Sequence, residues 1–430
     1  MVAMNEEFNY LGTWWLPSNP DKKWSGVVTY NPDTGIELKL VAHRQDVWHE
    51  TTLNNVNHVE VLKGEVGEYP HKVTLLNVSP HRSTGGRTRI MYNVWLHAEF
   101  LLDGHHFDKM KEITFESLEV DYSSLGSWMG STNKKMKDKW DIPITYKETS
   151  VQITFRKGPL LPSSPQRNYI HIKPDSVKEL TWYFGITDSI RDLLAFLVGR
   201  TVVIKGMSTP IDRGRMLGSK YVRIYRQIAP VDDFLWLGTD FPLQQIDAQI
   251  AKVFRSWFDF DEDHRIPFEL CLDVINNIHG YKKFEFLALM QALESHHQLY
   301  FEREGRKKKR WLTDDGKVRG PTLLERLRDL QDSFPGEMNL SDGFLNRAKV
   351  TRNYYTHYDP KKRKLAWKDD NLSRAISRLV PFVAYFLYNK INLPDDVFFK
   401  PFEGYSSRWL WQRQQPDSPY SEFKKQSPTS

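Results

Sequence analysis

The chain has 430 residues, 40% of them hydrophobic and 13% aromatic, with a formal net charge of +6. That length exceeds one comfortable core and predicts at least two domains. A single cysteine, Cys271, excludes an intramolecular disulfide framework and any cysteine-based zinc cluster, and it fits a reducing, cytoplasmic setting.

Met1 to Glu7 shows neither the basic nor the apolar region of a secretory signal. Residues 8 to about 160 read as β-rich. In Gly12-Thr13-Trp14-Trp15-Leu16-Pro17, Gly12 and Pro17 read as turn punctuation. Trp14, Trp15 and Trp24 suit core packing of a β-domain, with an aromatic platform for a base, sugar or peptide as the alternative. Ser25 to Tyr30, the turn Asn31 to Gly35, and Ile36 to Leu40 predict a hairpin whose second strand alternates apolar and charged residues. Lys72 to Val78, Arg89 to Phe100 and Ser150 to Phe155 add strands, so an antiparallel, sandwich-like or curled sheet is expected. Between about 160 and 230 the types mix: a helix from Thr187 to Gly199 with Gly199 as its C-cap, then strands Thr201 to Ile204 and Lys220 to Tyr225.

From about 243 helices dominate, enough for an all-α bundle. Ile246, Ile250, Val253, Phe254, Trp257 and Phe258 make one apolar face. Phe284 to His297, Pro321 to Ser333, Ser341 to Tyr358 and Leu372 to Ile391 supply four more helices. Pro381 predicts a kink or break in the last of them. The longest apolar run, Leu379 to Tyr388, is about half of what a bilayer requires, so no membrane span is expected. The Gln-, Ser- and Pro-rich tail from 411 reads as flexible. The expected domains are therefore 8–235, with a sub-boundary near 160, then 243–410 and a tail at 411–430.

Two acidic and histidine clusters do not read as metal sites. Asp259 to His264 opens like a calcium loop but has His264 at the glycine position and Leu270 at the bidentate-glutamate position. His296 and His297 project about 100° apart on a helix, which is poor ligand geometry. No metal or cofactor is called for.

The charge is uneven, with 28 Lys and Arg against 19 Asp and Glu in residues 281–430, or +9. A cationic region of this kind suits a polyanion held by salt-sensitive phosphate contacts. The run Arg306, Lys307, Lys308, Lys309, Arg310 is a candidate for such contacts, although a solvated loop fits it too. In the same region, Arg352-Asn353-Tyr354-Tyr355-Thr356-His357 sets a permanent cation, a carboxamide and an imidazole within six residues. An arginine fork can hold a phosphate, and an imidazole, ordinarily titrating at about 6.5, can take or give a proton near neutral pH. Helical geometry places Asn353 and His357 on one face and lets Arg352 swing back from the side. The spacing alone also fits a surface arginine and a polar histidine at a helix end.

The Arg352, Asn353 and His357 pattern resembles the signature of the HEPN superfamily of ribonucleases: arginine, a polar residue, a few residues, then histidine. Gly12 to Pro17, followed by Trp24-Ser25-Gly26 and a hairpin, resembles the N-terminal domain of ApeA-type anti-phage proteins. Together the two ends are similar to a family in which that domain precedes an Apea-like HEPN bundle. The resemblance implies a metal-independent endoribonuclease acting in anti-phage defence, or abortive infection, with Arg352, Asn353 and His357 catalytic. It also implies RNA as substrate, a homodimer through the helical domain, and an unknown phage-derived trigger read by the N-terminal module. Glu294, on the first long helix of that domain, could pair with Arg352 or tune His357, and an ordinary helix-surface glutamate fits it equally well. The alternative is a non-catalytic HEPN module binding RNA or a nucleotide, with a protein- or glycan-binding β-domain.

Overall fold

The structure is a computed structural model that describes residues 6–43, 58–68, 71–84, 91–130, 139–158, 167–211, 220–227, 243–276, 281–303, 311–312, 318–334, 340–395 and 397–398. The basic run Arg306 to Arg310 and the tail from 411 lie outside the described residues. The chain divides into two compact units: residues 1–191 with 202–231, and residues 192–201 with 232–430.

The first unit begins with six antiparallel strands: β1 (Phe8–Leu16), β2 (Asn19–Asn31), β3 (Gly35–His43), β4 (Val59–Val66), β5 (His71–Thr84) and β6 (Met91–Asp103). They pair in the order β3-β2-β1-β4-β5-β6, and β3 pairs β6 as well, so the expected curled sheet closes into a ring. Closure leaves these six strands without an open edge. The predicted alternation in β3 holds: Ile36, Leu38 and Leu40 are fully buried and pack with Trp14, Val28, Leu75 and Leu96.

The tryptophans are core residues, with Trp14 0% and Trp15 7% exposed. Trp14 Nε1 donates to Gly26 O at 3.3 Å, and the ring lies so close to Gly64 that a Cβ there would meet it at 2.4 Å. Gly12 is not turn punctuation. It sits inside β1, paired with Gly26 on one side and Val66 on the other, where a Cβ would come within 2.5 Å of Glu65 O. Pro17 does lie in a turn.

β7 (Thr114–Phe115), β8 (Leu118–Tyr122), α1 (Leu125–Trp128), β9 (Lys139–Tyr146), β10 (Thr149–Gly158), β11 (Arg167–Pro174), β12 (Lys178–Glu179), α2 (Leu180–Val198), β13 (Ile204–Ile211) and β14 (Lys220–Arg226) follow. From β6 the sheet continues as β14-β13-β8-β11-β10-β9. The early turns of α2 are held by Tyr122 Oη on Thr187 O at 2.9 Å and by Tyr183 Oη on Phe115 O at 3.1 Å. Gly199, at φ +70°, ends this helix as expected.

The second unit is helical: α3 (Leu243–Ile246), α4 (Ile250–Phe258), α5 (Glu262–Ile275), α6 (Lys282–His297), α7 (Leu323–Ser333), α8 (Asp342–His357) and α9 (Asp369–Lys390). A six-residue π-helical segment, Gln298–Arg303, extends α6, and a short ladder of β15 (Trp311–Leu312) with β16 (Val318–Arg319) precedes α7. Helix α5 was not anticipated. The acidic run before it is its N-terminus, with Asp261 accepting from His264 N at 2.9 Å. Cys271 lies fully buried on this helix, and burial pushes its thiol up to about 12. Of the kink or break expected at Pro381, the break does not occur. Helix α9 runs through it, and the buried run Leu379 to Tyr388 keeps the segment packed although one backbone hydrogen bond is forfeited.

Candidate active site

Helix α8 carries the candidate residues, and its sequence dictates both ends. Ser341 accepts from Phe344 N at 3.2 Å, a cap that contributes about 1 kcal/mol. Phe344, Leu345, Ala348, Thr351 and Tyr354 form the buried stripe, which leaves Arg352, Asn353 and Tyr355 half-buried and Thr356 and His357 exposed. The helix stops at Tyr358, which adopts the left-handed conformation with φ +47° and donates its N–H to Tyr354 O at 2.8 Å.

The chain then lies back along α8. Trp367 N donates to the buried Thr351 Oγ1 at 3.0 Å, Tyr355 Oη donates to Trp367 O at 2.8 Å, and Arg347 Nε donates to Leu365 O at 3.1 Å. Burial, then Tyr354 and Asp369, raises the Tyr355 phenol, which keeps it a donor in this bond.

Arg352 is held from α6. Its Nη2 lies 3.1 Å from Glu294 Oε1 and 3.3 Å from Oε2, and its Nη1 donates to Asn353 Oδ1 at 3.4 Å. The pair is partly screened from water, with side-chain exposures of 22% for Arg352 and 14% for Glu294. The structure therefore brings Glu294 to Arg352. A guanidinium has five N–H donors in a rigid fork, so this contact fixes its direction and leaves donors for an anion. His357 sits exposed in the last turn, and among the described residues neither ring nitrogen has a hydrogen-bond partner.

His296 and His297 are packed inside this unit. His297 is fully buried with Nε2 3.2 Å from Asp329, and His296 packs on Tyr300 and Phe386. Among the described residues no three His, Cys, Asp or Glu side chains gather as a metal site.

Sequence reasoning missed Thr351 and Trp367, whose bond shapes the segment after α8. It also passed over Lys361-Lys362-Arg363-Lys364, a basic run next to the candidate site. That run was visible in composition, but nothing in the sequence tied it to α8.

Residues 9–257 match the family described as ApeA N-terminal domain 1, and residues 287–397 match the family described as Apea-like HEPN. The second match contains Glu294, Arg352, Asn353 and His357, and its family marks the helical unit as the RNase part of a nuclease effector in defence. The chain belongs to the ApeA family, with an ApeA N-terminal domain followed by an Apea-like HEPN domain. No curated protein and no solved structure matches it. Among the described residues no helix is long and apolar enough to cross a membrane.

Proposed function

We propose that the helical unit is a metal-independent endoribonuclease whose site is completed by a second copy of the chain, acting in the cytoplasm after a phage-derived trigger engages the N-terminal unit. The observation that carries this reading is the arrangement at the end of α8: an exposed His357 whose ring has no partner among the described residues, one turn from Asn353, on the same helix as an Arg352 whose direction Glu294 fixes.

Transesterification of RNA requires a base and an acid at once, and two copies of His357 supply them. One imidazole takes the proton of the 2′-hydroxyl as the 2′-oxygen bonds to phosphorus. The bond from phosphorus to the 5′-oxygen breaks, and the second copy's imidazolium gives that oxygen its proton. The two rings end with exchanged protonation and reset through solvent. Arg352 grips the scissile phosphate and offsets the charge growing on its oxygens. Asn353 orients His357 or a phosphate oxygen.

The products are a 2′,3′-cyclic phosphate and a 5′-hydroxyl, and DNA, lacking the nucleophile, stays intact. Purified protein incubated with single-stranded RNA in EDTA, with and without a lysate of phage-infected cells to supply the trigger, tests this. Cyclic-phosphate ends that vanish in His357→Ala support the reading, whereas RNA bound but uncut favours the non-catalytic binding module.

A further inference from the structure

Helix α8 ends on a residue its backbone does not favour. Tyr358 holds φ +47°, a conformation in which glycine or asparagine is the ordinary choice because a larger side chain crowds the following carbonyl. A tyrosine retained there for packing would be buried. Tyr358 is instead 72% exposed, and among the described residues its one ring contact is Tyr354, with centroids 5.9 Å apart. It follows His357 directly.

The next residues add cations. Asp359 accepts from Lys361 N at 3.0 Å and caps the turn Pro360–Lys362, and its carboxylate pairs with Lys362 at 3.1 Å. Lys361, Arg363 and Lys364 are exposed, and none of them is in an ion pair among the described residues. The segment is nevertheless fixed, because the bonds from Arg347, Tyr355 and Thr351 to Leu365 and Trp367 anchor its far end to α8. A strained, exposed ring and three cations without an ion pair among the described residues therefore fall within the seven residues that follow His357, on a segment anchored to α8.

We propose that Tyr358 is a base-stacking platform, and that Lys361, Arg363 and Lys364 are the phosphate contacts, of a single-stranded RNA track leading to His357. The proposal rests on the ribonuclease reading and deepens it by naming how the strand is held. Aromatic stacking accepts any base, and each phosphate contact releases counterions, so the track binds with little sequence preference and strong salt dependence.

The test is fluorescence anisotropy of the full-length protein with a labelled, 2′-O-methylated single-stranded RNA of mixed sequence, which cannot be cut by 2′-attack. Tyr358→Gly is expected to bind about tenfold more weakly, while its thermal midpoint stays at or above wild type because glycine relieves the left-handed strain. Tyr358→Phe, which keeps the ring, is expected to bind as wild type does. The double variant Lys361→Ala, Lys364→Ala is expected to lower the slope of log affinity against log salt by about 1.4, the release expected for two single-strand phosphates.

Wild-type affinity in Tyr358→Gly overturns the platform, an unchanged salt slope in the double variant overturns the phosphate track, and no binding by the wild type overturns both. The probe makes binding independent of cleavage. Wild-type protein that leaves ordinary RNA intact even with a lysate of phage-infected cells present would sink the nuclease reading, and the binding measurements would still decide this one.

Discussion

Both carboxylate oxygens of Glu294 lie within 3.3 Å of Nη2 of Arg352, so a residue on α6 sets the direction of the candidate phosphate-gripping side chain on α8. Glu294→Gln keeps the volume and removes the charge. Its expected outcome is a fall in kcat for RNA cleavage of about ten- to a hundredfold with KM changed much less, because the fork is misaimed rather than lost. A fall confined to KM, or none, would show that Glu294 does not position Arg352. Arg352→Lys is expected to fail more severely, since it keeps the charge and loses the planar fork.

Thr351 and Trp367 make a buried hydrogen bond at 3.0 Å that ties the segment after α8 back to the helix. Thr351→Val is nearly isosteric but leaves the Trp367 N–H without its acceptor, at a cost of about 1–3 kcal/mol. Chemical denaturation should show that loss at an unchanged m-value. Stability within error of wild type would mean that the segment finds another partner for the N–H.

Ser341→Ala removes the N-cap of α8 and is expected to cost about 1 kcal/mol. The cap lies at the opposite end of the helix from His357, so kcat well below the melting transition should be unchanged. A large loss of kcat in fully folded Ser341→Ala would mean that the helix end and the site are coupled more tightly than this geometry requires.

Part of this was readable from sequence because it depends on local periodicity. Ile36, Leu38 and Leu40 alternate with Glu37 and Lys39, and that alone puts β3 against a core. Ser341, Ala348 and the stop before Pro360 define α8 through capping and spacing. What escaped depends on contacts between distant segments. Gly12 looks like a turn residue until two neighbouring strands crowd it, and Asp261 looks like a ligand until a helix begins after it. The Thr351 to Trp367 bond joins residues 16 apart through a folded-back segment that no pattern specifies. Arg306 to Arg310 and Lys361 to Lys364 are alike in composition, so charge alone favoured the longer run.

In the first unit, burial, followed by Arg156 and Lys173, pushes the His171 imidazole on β11 down to about 4 from an ordinary 6.5. As pH falls through that window the unfolded chain takes up the proton first, so folding loses stability. The contribution is complete above pH 6.5 and is lost progressively towards pH 4. Thermal midpoints measured across this range should decline more shallowly in His171→Gln than in wild type. Parallel declines would assign the acid sensitivity to other groups.

The central claim is that two copies of His357 serve one scissile phosphate, and the most direct measurement is cleavage by complexes assembled from wild-type and His357→Ala chains in varied proportion. If each site needs both imidazoles, mixed pairs are inactive and activity follows the square of the wild-type fraction, about one quarter at equal amounts. Activity that falls in simple proportion, about one half at equal amounts, would mean each copy cuts alone and would contradict the account.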